Sequence, residues 1–129
     1  MTLVARREQL QKLKEALTTL SAFKKNWNGY DAEPANKRAS ILANYLLDQL
    51  SELGLAYPSK ITIEYGEIVL TWNDPLKDNI LEVVSGENRL TAYLMVELGL
   101  ITDLEVTMFK EEDSLPASII SMIEVFPVS

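Results

Sequence analysis

The side chains in this chain with the most chemistry to offer are carboxylates. Asp31 and Glu33 sit beside an Asn-Gly turn, and Asp74 closes a run of alternating apolar residues. Brought together, three such groups hold Mg²⁺ for phosphoryl chemistry, because a hard cation takes oxygen ligands. The spacing does not require a metal. An acid just ahead of a helix accepts that helix's free N–H groups, and this is the simpler role for Asp31 or Glu33. Glu111-Glu112-Asp113 is the densest acidic run. It suits an Arg- or Lys-bearing partner surface, and equally a solvated loop whose acids precede a helix. Trp27, Tyr30 and Trp72 are the aromatic counterparts, since such residues dominate binding hot spots. Both Trp residues also fall in phase with apolar stripes, which fits Trp27 stapling a turn and Trp72 joining helices to a sheet.

The missing residue types narrow the chemistry further. The chain has 129 residues, 47% of them apolar, with no Cys and no His. Within it there is no disulfide framework, thiolate zinc site, thiol nucleophile, imidazole ligand or Ser-His pair. Neither a G-x-G-x-x-G nor a G-x-x-x-x-G-K-[ST] cradle is present, so no phosphate-bearing cofactor is signalled. Any enzyme reading is confined to carboxylates, as in a small metal-dependent nuclease, and a non-enzymatic role with no cofactor is expected instead.

The charge is unevenly spread. Twelve Lys and Arg stand against nineteen Asp and Glu, a net charge of −7. Residues 1 to 40 hold eight basic and four acidic side chains, and the remainder holds four basic and fifteen acidic. This counts against direct nucleic-acid binding and for a protein partner with a basic surface. No run approaches the roughly 20 apolar residues of a membrane span. Met1 to Arg7 places its charges after the apolar residues, unlike a signal peptide. A cytoplasmic, membrane-independent chain is the expectation.

These groups need elements to position them. Leu3, Leu10 and Leu17 recur every seven residues, with Leu13, Leu20 and Trp27 as a companion series that Arg6 interrupts, so one helix is expected over residues 1 to 26. Packing on the domain's own sheet explains this stripe; a coiled-coil homodimer is the alternative. Asn26 to Pro34 forms a turn, and a second helix runs from about 34 to 53, stopped by Gly54. Beyond Pro58 the apolar period falls to two. Ile61 to Tyr65 and Ile68 to Trp72 form a hairpin across Gly66-Glu67. Residues 79 to 84, 89 to 96 and 103 to 109 supply three further strands. Ser114 and Pro116 introduce a short helix near 115 to 123. A tail follows, or a brief strand through Val125 and Phe126.

The segment Asn26-Trp27-Asn28-Gly29-Tyr30-Asp31-Ala32-Glu33-Pro34 resembles the NWDGYGA-x-P motif of a group of small uncharacterised bacterial and phage-type proteins. In that group an Ala-rich helix, a Pro and a G-x-I-x-L-x-W hairpin follow. Pro58 and Gly66-Glu67-Ile68-Val69-Leu70-Thr71-Trp72 look like that second part, and the likeness covers about residues 20 to 84. Asn28 and Asp31 stand where the group has Asp and Gly. The resemblance implies a helical hairpin followed by a sheet, in a mobile-element or defence setting, and implies no reaction.

The expected fold is a single α+β domain over residues 1–129. An N-terminal αα-hairpin packs on one face of a mostly antiparallel sheet of about five strands, with a short C-terminal helix. The expected role is a small acidic protein-binding module, of inhibitor or antitoxin type, that occupies a basic, nucleic-acid-binding site on its partner. Glu111, Glu112, Asp113, Trp27, Tyr30 and Asp31 are the expected contacts. A structural homo-oligomer, at its simplest a homodimer through the first helix or an edge strand, is the alternative beside the nuclease.

Overall fold

The computed structural model describes residues 2–24, 29, 33–96 and 100–128. Two helices, α1 (Leu3–Ser21) and α2 (Lys37–Leu53), precede five strands: β1 (Lys60–Glu64), β2 (Glu67–Asp74), β3 (Asn79–Gly86), β4 (Arg89–Val96) and β5 (Leu100–Met108). A third helix, α3 (Ala117–Ile123), closes the order. The strands form one antiparallel meander in sequence order, β1 to β5. This is the α+β arrangement expected from the change of period.

Several boundaries differ from expectation. Helix α1 ends at Ser21 rather than near residue 26. In its last turns Thr18, Thr19 and Ser21 donate their hydroxyls to the carbonyls of Lys14, Glu15 and Leu17, a habit that weakens helices. Helix α2 is capped by Asn36 rather than by the expected Glu33: Asn36 Oδ1 accepts from the N–H groups of Arg38 and Ala39 at 2.8 and 3.1 Å. Pro34 therefore precedes the helix instead of sitting in its first turn. Helix α3 starts after Pro116 with no side-chain cap, so Ser114 does not serve as one. Val125 and Phe126 continue as a turn rather than a strand, with Phe126 buried.

Gly54 ends α2 as expected, at φ 66°. Its left-handed conformation lets the Leu55 N–H reach back to the Leu50 carbonyl at 3.0 Å, the closing bond of a Schellman motif. Arg6 explains why the apolar series of α1 is broken there. Its Nη2 donates to the Leu55 carbonyl at 2.9 Å and to the Leu50 carbonyl at 3.4 Å. Its guanidinium also lies 4.2 Å from the Tyr57 ring centre. A cation at a helix C-terminus meets the negative end of the dipole.

The core is one contiguous cluster. Leu42, Leu46, Leu47 and Leu50 of α2 are fully buried, against Ile68, Leu70 and Trp72 of β2 and Leu81 and Val83 of β3 on the facing side of the sheet. Leu17 is the buried residue of α1, and Leu10 and Leu13 pack at the margin. Leu10, Leu13 and Leu17 of the stripe thus serve the domain's own interior, while Leu3 is 70% exposed. Two polar groups inside the core are satisfied. Trp72 Nε1 donates to the Ala56 carbonyl at 2.8 Å, and Ser85 Oγ donates to the Ala39 carbonyl at 2.8 Å. Trp72 therefore acts as the tie between helices and sheet.

The first hairpin turns on two residues, Tyr65 and Gly66, because Glu64 pairs with Glu67. Both have positive φ, 51° and 81°, as a type I′ turn demands. The turn thus lies one residue earlier than the expected Gly66-Glu67. Gly66 is also held close: a Cβ there would meet the Pro34 carbonyl oxygen at 3.1 Å. Its own carbonyl accepts from the Asn36 N–H at 2.7 Å. The hairpin is thereby docked on the start of α2.

Candidate interaction surface

The acidic run after β5 is built into the fold. Arg38, in the first turn of α2, meets Glu111 with two parallel bonds, Nη1–Oε1 at 2.9 Å and Nη2–Oε2 at 2.8 Å. The same guanidinium donates through Nε and Nη2 to Asn88 Oδ1, at 3.2 and 2.8 Å. Asn88 lies in the β3–β4 turn at φ 56°. One cation thus joins α2, the β3–β4 turn and the segment after β5. The hydrogen bond from Arg38 holds the Glu111 carboxyl below the usual carboxylate range, and Glu111 in turn raises the Arg38 guanidinium.

Asp113 is likewise engaged: its Oδ2 accepts from the Lys110 N–H at 2.8 Å and its carbonyl accepts from the Tyr45 hydroxyl at 2.6 Å. Its carboxylate thus fastens its own loop. All three acids are exposed, and Glu112, at φ 88°, takes no part in these contacts. Trp27, Tyr30 and Asp31 lie outside the described residues. Glu33 and Asp74 are not brought together. Glu33 lies beside Gly66 at one end of β2, and Asp74 closes the other end, a separation of roughly 20 Å at the usual strand rise. Among the described residues no three potential ligands gather for a metal ion.

The larger surface is the sheet face turned away from the helices. Register places Thr62, Val69, Val84, Thr91 and Val106 in one row across all five strands. The next row runs Lys60, Thr71, Glu82, Tyr93 and Leu104. A shallow groove of about 250 Å³ crosses this face, lined by Tyr65, Val69, Val84, Arg89 and Tyr93 among others. Arg89 and Glu67 approach to 3.7 Å beside it. Tyr65 is 94% exposed while its backbone holds φ 51°. A bulky L-residue is poorly suited to that conformation, where Asn or Gly is cheaper.

Strand β5 reverses the polarity of the sheet. The helix-side rows Ile61–Leu70–Val83–Ala92 and Ile63–Ile68–Ser85–Leu90 end on β5 at Glu105 and Thr107. Asp103 ends the row of Trp72, Leu81 and Leu94. Three apolar residues of β5 point the other way: Leu104, Val106 and Met108 are 52, 56 and 71% exposed. The close helix packing explains this: α2 lies on β2 and β3, and α1 lies on α2 and β1. The alternation of residues 103 to 109 announces two faces without saying which is covered.

Comparison with family models, with curated proteins and with solved structures found no match. No helix among the described residues is long and apolar enough to cross a membrane.

Proposed function

We infer that this chain is a small acidic protein-binding module that acts through its uncovered sheet face. The observation that carries this reading is the exposure of Leu104, Val106 and Met108 on an edge strand. They continue the rows that hold Val84, Thr91 and Tyr93. Three exposed apolar side chains on one face of an edge strand, flanked by polar residues of the neighbouring strand, suit an interaction site. Tyr65 supports it, because an exposed aromatic kept at a strained turn position has no role in packing.

The partner surface is basic. Glu64, Glu67 and Glu82 line the groove on this face, Asp103 and Glu105 stand on the opposite side of β5, and the chain carries −7 overall. A surface that normally holds nucleic acid has the complementary charge. An inhibitor or antitoxin of phage or mobile-element type fits this chemistry and the NWDGYGA-x-P likeness. The test is affinity capture with the tagged full chain at low and high salt. A stoichiometric partner with a basic surface, released as salt rises, is expected. Absence of any stoichiometric partner overturns the reading.

A further inference from the structure

We propose that the outer edge of β5 takes up an extended segment of a partner protein in which Lys or Arg alternates with aliphatic residues. This rests on the protein-binding reading and specifies its partner.

The backbone of β5 defines what the edge offers. The Phe109 N–H donates to the Asn88 carbonyl at 3.0 Å. Odd-numbered residues therefore turn their amide groups toward β4, since hydrogen-bonded and non-hydrogen-bonded positions alternate along an antiparallel pair. Leu104, Val106 and Met108 turn theirs outward, and among the described residues β5 has a strand neighbour on one side alone. Such an edge is a template for one more strand. Two local bonds occupy its ends. Asp103 Oδ1 accepts from the Leu104 N–H at 3.0 Å, and Thr107 Oγ1 donates to the Met108 carbonyl at 3.3 Å. Val106 lies between them with its N–H and C=O directed outward.

The side chains select the occupant. One face of β5 presents Leu104, Val106 and Met108; the other presents Asp103, Glu105 and Thr107. An added strand keeps the same alternation. Its aliphatic residues extend the exposed apolar face, and its cations lie beside Asp103 and Glu105. Opposite charges across a strand pair stabilise it, and like charges destabilise it. A cation on Asp103 also draws its carboxylate from the Leu104 N–H, which frees that donor for the incoming strand. A second copy of β5 would bring two more carboxylates to the same face, so it is the poorer occupant.

The experiment uses the full chain, isotopically labelled, with an N-acetylated Lys-Val alternating peptide and its Glu-Val counterpart. Amide exchange is read residue by residue. The cationic peptide is expected to slow exchange at Leu104, Val106 and Met108 roughly tenfold, and the acidic peptide to leave it unchanged. Val106→Pro removes an outward donor and no bond to β4, and is expected to abolish the effect. Asp103→Lys with Glu105→Lys, at exposed and half-buried surface positions, is expected to exchange the preference for the acidic peptide. Equal protection by both peptides, or none by the cationic one, overturns the proposal. So does a wild-type dimer in light scattering that Val106→Pro makes monomeric. Protection confined to Tyr65, Val69 and Tyr93 also overturns it, yet leaves the protein-binding reading intact. Failure of that reading is seen instead in capture with the intact chain.

Discussion

Arg38 and Glu111 stand 73 residues apart and meet by two hydrogen bonds of 2.9 and 2.8 Å. Through this contact the acidic run after β5 is tied to the first turn of α2. It also bears directly on pH dependence. The Glu111 carboxyl is held below its ordinary range, so its contribution to stability is present above the unfolded-state carboxylate pKa. It is lost as pH falls through the lower folded value. Glu111→Gln should therefore lower the urea midpoint near neutral pH, and the difference from wild type should shrink as the solution is acidified. Because the pair is solvent-accessible the effect is small. A difference that grows in acid would contradict the contact.

The Tyr65-Gly66 turn gives two opposite effects. Gly66→Ala places a Cβ near the Pro34 carbonyl oxygen at φ 81° and should cost more than about 1 kcal/mol. Tyr65→Asn relieves a bulky residue at φ 51° and should stabilise by about 0.5–1 kcal/mol. Thermal unfolding of both variants reads the signs. If Tyr65 is kept for binding, the more stable variant binds its partner less well.

Trp72→Phe keeps most of the buried ring but strands the Ala56 carbonyl, which accepts from Trp72 Nε1 at 2.8 Å. An unsatisfied buried acceptor costs about 1–3 kcal/mol. Chemical denaturation should show that loss with an unchanged m-value. Leu46→Ala, at a fully buried site, should cost about 2–5 kcal/mol and serves as the scale for a core cavity.

Arg6→Ala removes a cation from the Leu55 and Leu50 carbonyls and from the Tyr57 ring. A loss of about 1–2 kcal/mol is expected. Arg6→Lys should recover part of it, because a single ammonium keeps the charge without the planar fork. Full recovery by Lys would mean that charge alone acts there.

How far the sequence revealed this structure depended on how local each signal was. The switch from a helical period to alternation, the Gly54 stop and the Gly66 hairpin were all legible from neighbouring residues. The cap of α2 was not, since the acids Asp31 and Glu33 are the expected caps and Asn36, a few residues farther on, takes the role. The polarity of β5 was not legible either. Leu104, Val106 and Met108 alternate as a half-buried strand does, and only the register with β4 places them on the uncovered side. The acids Glu111 and Asp113 read as surface charge because their partners, Arg38 and Tyr45, are distant in the chain. Tyr65 continues the alternation of the first strand, and its turn position emerges only from the pairing of Glu64 with Glu67.

Binding of a protein to the uncovered face of the sheet is tested by parallel capture with wild type and with Leu104→Ser combined with Met108→Ser. Both positions are more than half exposed, so folding stability should change by no more than about 0.5 kcal/mol each. A stoichiometric partner of the wild type is expected to be lost from the double variant while its unfolding curve stays in place. Retention of the same partner at the same stoichiometry by the folded double variant would contradict it.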